Sequence, residues 1–316
     1  LAGRLRVDFV RTAAALKSVL NNFLPVVTGR GVVQISAYID NLLASLLPTG
    51  AVAALNYAQI LYLLPVSLFG MSVAAAELPG MSRASGTPDE VARVLRGRLK
   101  VGLRQIAFFV IPSAAAFLFL GDVIAGAIFQ SGHFTHADAI YLWGILAGSA
   151  VGLLAVTMGR LYSSAFYAMW DTRTPLKFAI IRVLLTVALG YYCALYLPRT
   201  LGIDRSWGVA GLTASAGLAG WVEFSLLRHA LGRRIGKSGL DRTFLIELWA
   251  MALAASGAGY TIKLYLHGHG PKLVALGVVP AFAAIYFGLA FALGIPELNL
   301  LIARISPRLV AKRDSK

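Results

Sequence analysis

Eight apolar runs, separated by short interruptions, constrain this chain more than anything else in it. They lie at about 26–47, 53–77, 101–121, 139–160, 176–197, 207–228, 243–265 and 273–294. At about 1.5 Å per helical residue, each can cross a hydrocarbon core of roughly 30 Å. A soluble domain has no use for eight runs of this length. Composition agrees, with 58% apolar and only 14% charged residues. The chain reads as an all-α polytopic membrane protein of about eight transmembrane helices.

The net charge of +15 would suit a nucleic-acid binder, but its distribution argues otherwise. Basic residues fall in alternate segments. Arg4, Arg6, Arg11 and Lys17 precede the first run, and Arg83, Arg93, Arg96, Arg98 and Lys100 follow the second. Arg160, Arg173 and Lys177 flank the fourth, with Arg160 read as lying at its edge. Arg228, Arg233, Arg234, Lys237 and Arg242 follow the sixth, and Arg304, Arg308, Lys312, Arg313 and Lys316 close the chain. The intervening loops hold no more than Arg199, Arg205 and Lys272. This is the positive-inside pattern, and it predicts both ends of the chain in the cytoplasm. The basic loops then face anionic lipid headgroups, not a nucleic acid. Arg104 and Arg182 lie near the cytoplasmic ends of their runs and are expected to snorkel outward.

Little in the sequence supports covalent chemistry. Cys193 has no partner for a disulfide. The pairs His133/His136 and His267/His269 have no adjacent ligand to complete a metal site, so none is expected. There is no Gly-rich phosphate loop and no nucleophile–base constellation. The expectation is a protein that is not an enzyme and carries no cofactor.

Polar positions inside the first run are more informative. Arg30, Gln34, Tyr38, Asn41 and Ser45 share one helical face. Such a stripe fits a wet pathway or a polar seam between helices, and spacing alone leaves both open. Residues 1–24 form an amphipathic pattern suited to a juxtamembrane segment. Thr87-Pro-Asp-Glu90 is a capping box that opens a short interfacial helix over 91–99. Asp171, Arg173 and Pro175 mark a structural loop that starts the next helix. Small residues four apart between Gly208 and Gly220 allow close helix packing.

Three ordered motifs carry a resemblance. The first is Ala44-Ser-Leu-Leu-Pro-Thr-Gly50 with Ala54-Leu-Asn-Tyr-Ala58, Leu64-Pro65, Leu68-Phe-Gly70 and Leu78-Pro-Gly-Met-Ser82. The second is Ile128-Phe-Gln-Ser-Gly-His-Phe-Thr135, and the third is Ala165-Phe-Tyr-Ala-Met-Trp-Asp-Thr-Arg-Thr-Pro175. Together they resemble the MurJ (MviN) family of proposed lipid II flippases, in the multidrug/oligosaccharidyl-lipid/polysaccharide exporter superfamily. The match begins at the seventh of fourteen family helices. It implies a C-terminal portion without the first six helices, in a bacterial inner-membrane protein.

The resemblance implies a juxtamembrane segment 1–24, a six-helix lobe 25–230, a peripheral helix pair 231–298 and a basic tail 299–316. It implies movement of lipid II, or a related undecaprenyl-linked saccharide, across the membrane for peptidoglycan biosynthesis. Flipping of another lipid-linked oligosaccharide, or a non-transporting scaffold derived from the family, is the alternative. The partners implied are that lipid, membrane lipids and the missing N-terminal lobe. A substrate cavity would be lined by Arg30, Gln34, Tyr38, Asn41, Asn56 and Gln59. Asp40 and Ser215 would form an ion or proton site, with Na+ and H+ both open as coupling ion. One departure stands out. Gln59, Ile60 and Leu63 occupy positions where the family carries Asp, Arg and Glu. Thr186 and Gly190 likewise stand where sodium-coupled relatives carry Asn or Asp.

Overall fold

The apolar runs are helices in a computed structural model that describes residue 31 and residues 34–298. Arg30, segment 1–24 and the tail 299–316 lie outside the described residues. The first run contributes helix α1, over 34–45. After the Pro48-Thr-Gly50 turn, where Gly50 takes a left-handed φ of 95°, come seven longer helices. They are α2 (Ala51–Ser82), α3 (Pro88–Phe129), α4 (His136–Ala168), α5 (Arg173–Leu201), α6 (Gly208–Ile235), α7 (Arg242–Tyr265) and α8 (Pro271–Ala292). All seven are long and apolar enough to cross a membrane.

Local chemistry sets the starts. The Thr87 hydroxyl accepts from the Glu90 amide at 3.4 Å, and the Glu90 carboxylate accepts from the Thr87 amide at 2.8 Å. Thr135 and Asp138 repeat the same reciprocal cap at α4, at 3.3 and 2.7 Å. The second box carries the same threonine-plus-acid spacing as the first. Pro65 lacks an amide for its turn, and a π-helical turn, Val66–Met71, follows it inside α2. There Phe69 stacks on Phe109 of α3, centroids 4.5 Å apart.

The expected break between a short interfacial helix and the third span is absent. Residues 88–129 form one helix of 42 residues. No proline or capping residue interrupts the chain near Lys100, and the basic residues there find partners in neighbouring segments. Arg96 donates to the Ile235 carbonyl, Arg98 pairs with Glu77 at 3.6 Å and Lys100 with Asp241 at 3.5 Å.

The core is built on α3, α4 and α6. Leu99, Leu103, Ile106, Phe108 and Ile111 are fully buried along α3. Glycines bring α4 and α6 almost into backbone contact: a Cβ added at Gly217 would sit 2.7 Å from the Gly152 amide nitrogen. Thr213 donates to the Ile145 carbonyl at 3.0 Å, and Trp221 to that of Val151 at 2.7 Å. Both contacts advance together along the two helices, so α4 and α6 run in the same direction. The glycine-rich stretch 208–220 therefore serves close packing.

Helices α7 and α8 pack on each other and on α3, pinned to it at three depths. At one end Arg104 of α3 donates twice to Glu297, with the Nη2–Oε2 bond at 3.1 Å, and lies 3.8 Å over the Phe244 ring. About one turn further along α3, the buried Tyr286 hydroxyl donates to the Phe108 carbonyl at 2.7 Å. At the other end Lys263 pairs with Asp122 at 2.5 Å. Arg104 thus does not snorkel. Glu297, only 7% exposed, offers it a bidentate partner inside the protein.

Candidate functional site

Five helices, α1, α2, α4, α5 and α6, line a partly open cavity of about 120 Å³, with room for several waters. Asp40, Gln59, Tyr62, Ser149, Arg182 and Thr213 supply its polar lining, and Leu55, Val156 and Leu212 part of its apolar wall. Arg182 reaches it from α5, about 14 Å along the axis from Arg173 at 1.5 Å per residue. That depth puts its guanidinium in the bilayer interior.

Arg182 donates through Nη1 to Oε2 of Glu223 at 3.2 Å, leaving the two side chains 22% and 15% exposed. The expectation that Arg182 snorkels is therefore wrong. Glu223 and Asp40 attract the guanidinium inward more strongly than the distant headgroup region can. Arg160 belongs to the same cluster, within electrostatic reach of Tyr62, Arg182 and Glu223. Helix α4 continues to Ala168, so Arg160 stands about 12 Å inside its end rather than at the edge. The α4–α6 glycine contact at 152 and 217 aligns the helices so that Arg160 and Glu223 reach similar depth.

The cluster is only partly satisfied. Asp40 Oδ1, Arg160 Nε, Arg182 Nε and the Thr186 hydroxyl are buried without a hydrogen-bond partner. A polar group left so in an apolar interior costs about 1–3 kcal/mol, more when charged. With both carboxylates ionised, Asp40 and Glu223 balance Arg160 and Arg182. The chamber is electrically neutral without any added ion.

Not all expected site residues meet here. Gln59 lines the cavity beside Asp40. Gln34, Tyr38 and Asn56 are exposed instead on the outer surface of α1 and α2, and Tyr38 is 66% exposed. Asn41 spends an amide N–H on the Ala37 carbonyl at 2.9 Å. Arg30 lies outside the described residues. Along α1, Ser36, Leu43 and Ala44 are buried, as is Leu47 just beyond it, and the polar stripe takes the opposite face. Ile60 and Leu63, at the departed positions, are about half exposed on the outer face of α2. Ser215 is fully buried, its hydroxyl donating to the Leu212 carbonyl at 2.7 Å, and is not part of the cavity wall.

Asp171 lies at the end of the chain segment joining α4 to α5. Its carboxylate accepts from the Arg173 and Thr174 amides at 3.1 and 3.0 Å and from the Thr174 hydroxyl at 2.7 Å. Arg234 of α6 pairs with it at 2.5 Å. Burial pushes the Asp171 carboxyl up, but the bonds from Thr174 and Arg234 outweigh it and hold the group below the usual value. Pro175 is buried in the first turn of α5, and the Arg173 side chain is exposed.

Sequence reasoning missed Arg182, Arg160, Glu223 and Tyr62 as a group. The available signal was Glu223, the one acid inside the 207–228 run. An intramembrane acid calls for a partner at its own depth.

The described residues form a multi-pass helical bundle around a charged internal chamber, and charges at that depth mark a functional site. The comparisons name the family. The model of the family described as "Lipid II flippase MurJ" matches residues 2–292, and the chain belongs to that family. A protein of Rhizobium meliloti (strain 1021) named "Probable lipid II flippase MurJ" is 30% identical over 312 residues, covering 94% of this chain and 55% of its own. "Lipid II flippase MurJ" of Burkholderia cenocepacia is 29% identical over 288 residues, covering 88% and 54%. A solved structure, "Lipid II flippase MurJ, inward closed conformation", superposes with a TM-score of 0.69 at 20% identity, over 96% of this chain and 57% of that one. The chain spans about half the length of the relatives it matches.

Proposed function

We propose that these residues form one lobe of a lipid II flippase in the bacterial inner membrane, with both ends of the chain cytoplasmic. The family match over 2–292 carries the reading. A pyrophosphate-linked saccharide headgroup cannot cross hydrocarbon unaided. A flippase must offer it a wet, polar surface that opens to each leaflet in turn, by rocking one lobe against another. The exposed stripe of Gln34, Tyr38 and Ser45 on α1, with Asn56 on α2, is the surface this lobe would turn toward such a pathway. In this reading Arg30 extends the stripe and contacts the pyrophosphate through paired guanidinium hydrogen bonds. Residues 231–298 are the peripheral pair, and Asp171, Arg173 and Pro175 the structural loop.

The chain spans about half the length of its relatives, and the second lobe would come from the part of a two-lobe protein outside these 316 residues. Expression of the two-lobe protein in a strain depleted of its own lipid II flippase should restore growth and bring lipid II to the periplasmic face. The 316 residues alone should not. Failure of the two-lobe protein, at normal membrane levels, would reject lipid II as substrate. One observation favours a second reading, a scaffold without transport: Ile60 and Leu63 leave the outer face of α2 apolar where the resemblance implies charge.

A further inference from the structure

The chamber around Asp40 contains a cation that belongs to the protein. Oxygen-rich surroundings with a buried carboxylate, here Asp40 with Gln59, Ser149 and Thr213, are the chemistry of a hard monovalent cation site. Sodium, one of the two coupling ions that the resemblance leaves open, can be tested against the residues present. It does not fit. The Arg182 guanidinium lines the same cavity and acts on the Asp40 charge. Its Nη1 is held by Glu223, while its Nε has no hydrogen-bond partner. Arg160 adds a second positive charge within reach of Arg182. The two guanidiniums already cancel the two carboxylates, so a sodium ion would enter a chamber with no net charge to hold it, beside a fixed cation. Thr186 gives a single hydroxyl nearby on α5, and Gly190, against Leu43 and Leu212, gives no donor at all.

We propose that Arg182 is a tethered internal cation, shared between Glu223 and Asp40, that takes the place of a free sodium ion in this lobe. The side chain has one firm bond to Glu223 and an unsatisfied carboxylate oxygen across the cavity. Rocking of α1 and α2 against α5 and α6 can shift the guanidinium toward Asp40 without any ion entering or leaving. The inference deepens the transport reading and rests on it only for this last consequence.

Removing the tethered charge gives a test that does not depend on flipping. With Arg182→Gln the chamber holds two carboxylates and one guanidinium, and one monovalent cation restores neutrality. The purified chain in lipid nanodiscs is melted in NaCl, KCl and choline chloride at equal ionic strength. The wild type should melt at one temperature in all three. Arg182→Gln should gain a sodium-specific rise on the order of 2 °C for each tenfold excess over Kd. Adding Asp40→Asn should abolish that rise. A sodium-specific rise in the wild type, removed by Asp40→Asn, would overturn the proposal, as would a folded Arg182→Gln indifferent to sodium. Should Arg182→Gln fold only in sodium, the proposal is supported. Should it fold in none of the salts, Arg182→Lys decides: it keeps a tethered charge and should melt alike in all three, and a sodium-specific rise there would refute the substitution. If the chain melts as expected while the two-lobe protein does not rescue the depleted strain, the flippase reading is refuted and the tethered cation stands.

Discussion

The seam between α3 and α7–α8 and the chamber around Asp40 both bury charge, and they treat it in opposite ways. At the seam every charge has a geometric match: Arg104 with Glu297, Lys263 with Asp122, and the neutral Tyr286 hydroxyl on the Phe108 carbonyl. In the chamber Arg182 has one bond to Glu223, while Asp40 Oδ1, Arg160 Nε and Arg182 Nε have none. A satisfied buried pair fixes one arrangement, because any displacement exposes a full desolvation cost. A partly satisfied, hydrated cluster can exchange partners at little cost. The seam therefore holds one arrangement, and the chamber has more than one open to it.

The largest effect should come from the seam. Arg104→Ala strands the Glu297 carboxylate and should cost about 3–5 kcal/mol, read as a lower melting temperature in nanodiscs. The paired replacement Arg104→Met with Glu297→Leu should recover most of that loss, since two apolar side chains need no partners. If the single change is silent, the seam is not the rigid half of the comparison. Next is Tyr286→Phe, which leaves the Phe108 carbonyl without this donor and should cost about 1–2 kcal/mol by the same measurement. In the chamber Glu223→Gln removes a whole charge yet should cost less than Tyr286→Phe, because water and Asp40 remain to solvate Arg182. A larger loss there would mean the chamber is as rigid as the seam.

The smallest effect concerns pH at the α4–α5 loop. The folded Asp171 carboxyl lies below its ordinary value of 3.8, so its contribution is fully present above that value and is lost as pH falls through the folded value. Melting of the wild type should therefore decline more steeply than that of Asp171→Asn below about pH 4, with no difference in slope near neutrality.

These regions also mark how far the sequence could be read. The helices were legible because hydrophobic length and capping chemistry are local: Thr87 with Glu90 sets the start of α3 within four residues. The positive-inside count likewise depends on loops alone. The chamber was not legible, because it joins α1, α2, α4, α5 and α6, and no spacing rule relates Asp40 to Arg182 or Arg160 to Glu223. Rules for single helices assigned Arg104 and Arg182 to the membrane surface, since each lies within a few turns of a cytoplasmic end. Their acids, Glu297 and Glu223, lie far away in sequence and outweigh the headgroups. The face of α1 was only half legible: spacing grouped Gln34, Tyr38 and Ser45, and the outward direction of that group follows from the packing of Ser36, Leu43 and Leu47. Arg160 was misplaced because the fourth run was bounded at 160, whereas the helix continues through Leu161, Tyr162 and polar Ser163 and Ser164 to Ala168.

In the flippase reading proposed above, transport depends on the partly satisfied chamber and not on the paired seam. Lipid II at the periplasmic face, measured in cells that depend on the two-lobe protein, separates the two. Arg182→Ala, at wild-type membrane levels, should leave lipid II in the cytoplasmic leaflet and fail to support growth. The Arg104→Met, Glu297→Leu pair should transport as the wild type does. Wild-type transport by Arg182→Ala, or loss of transport only in the seam pair, would contradict the account.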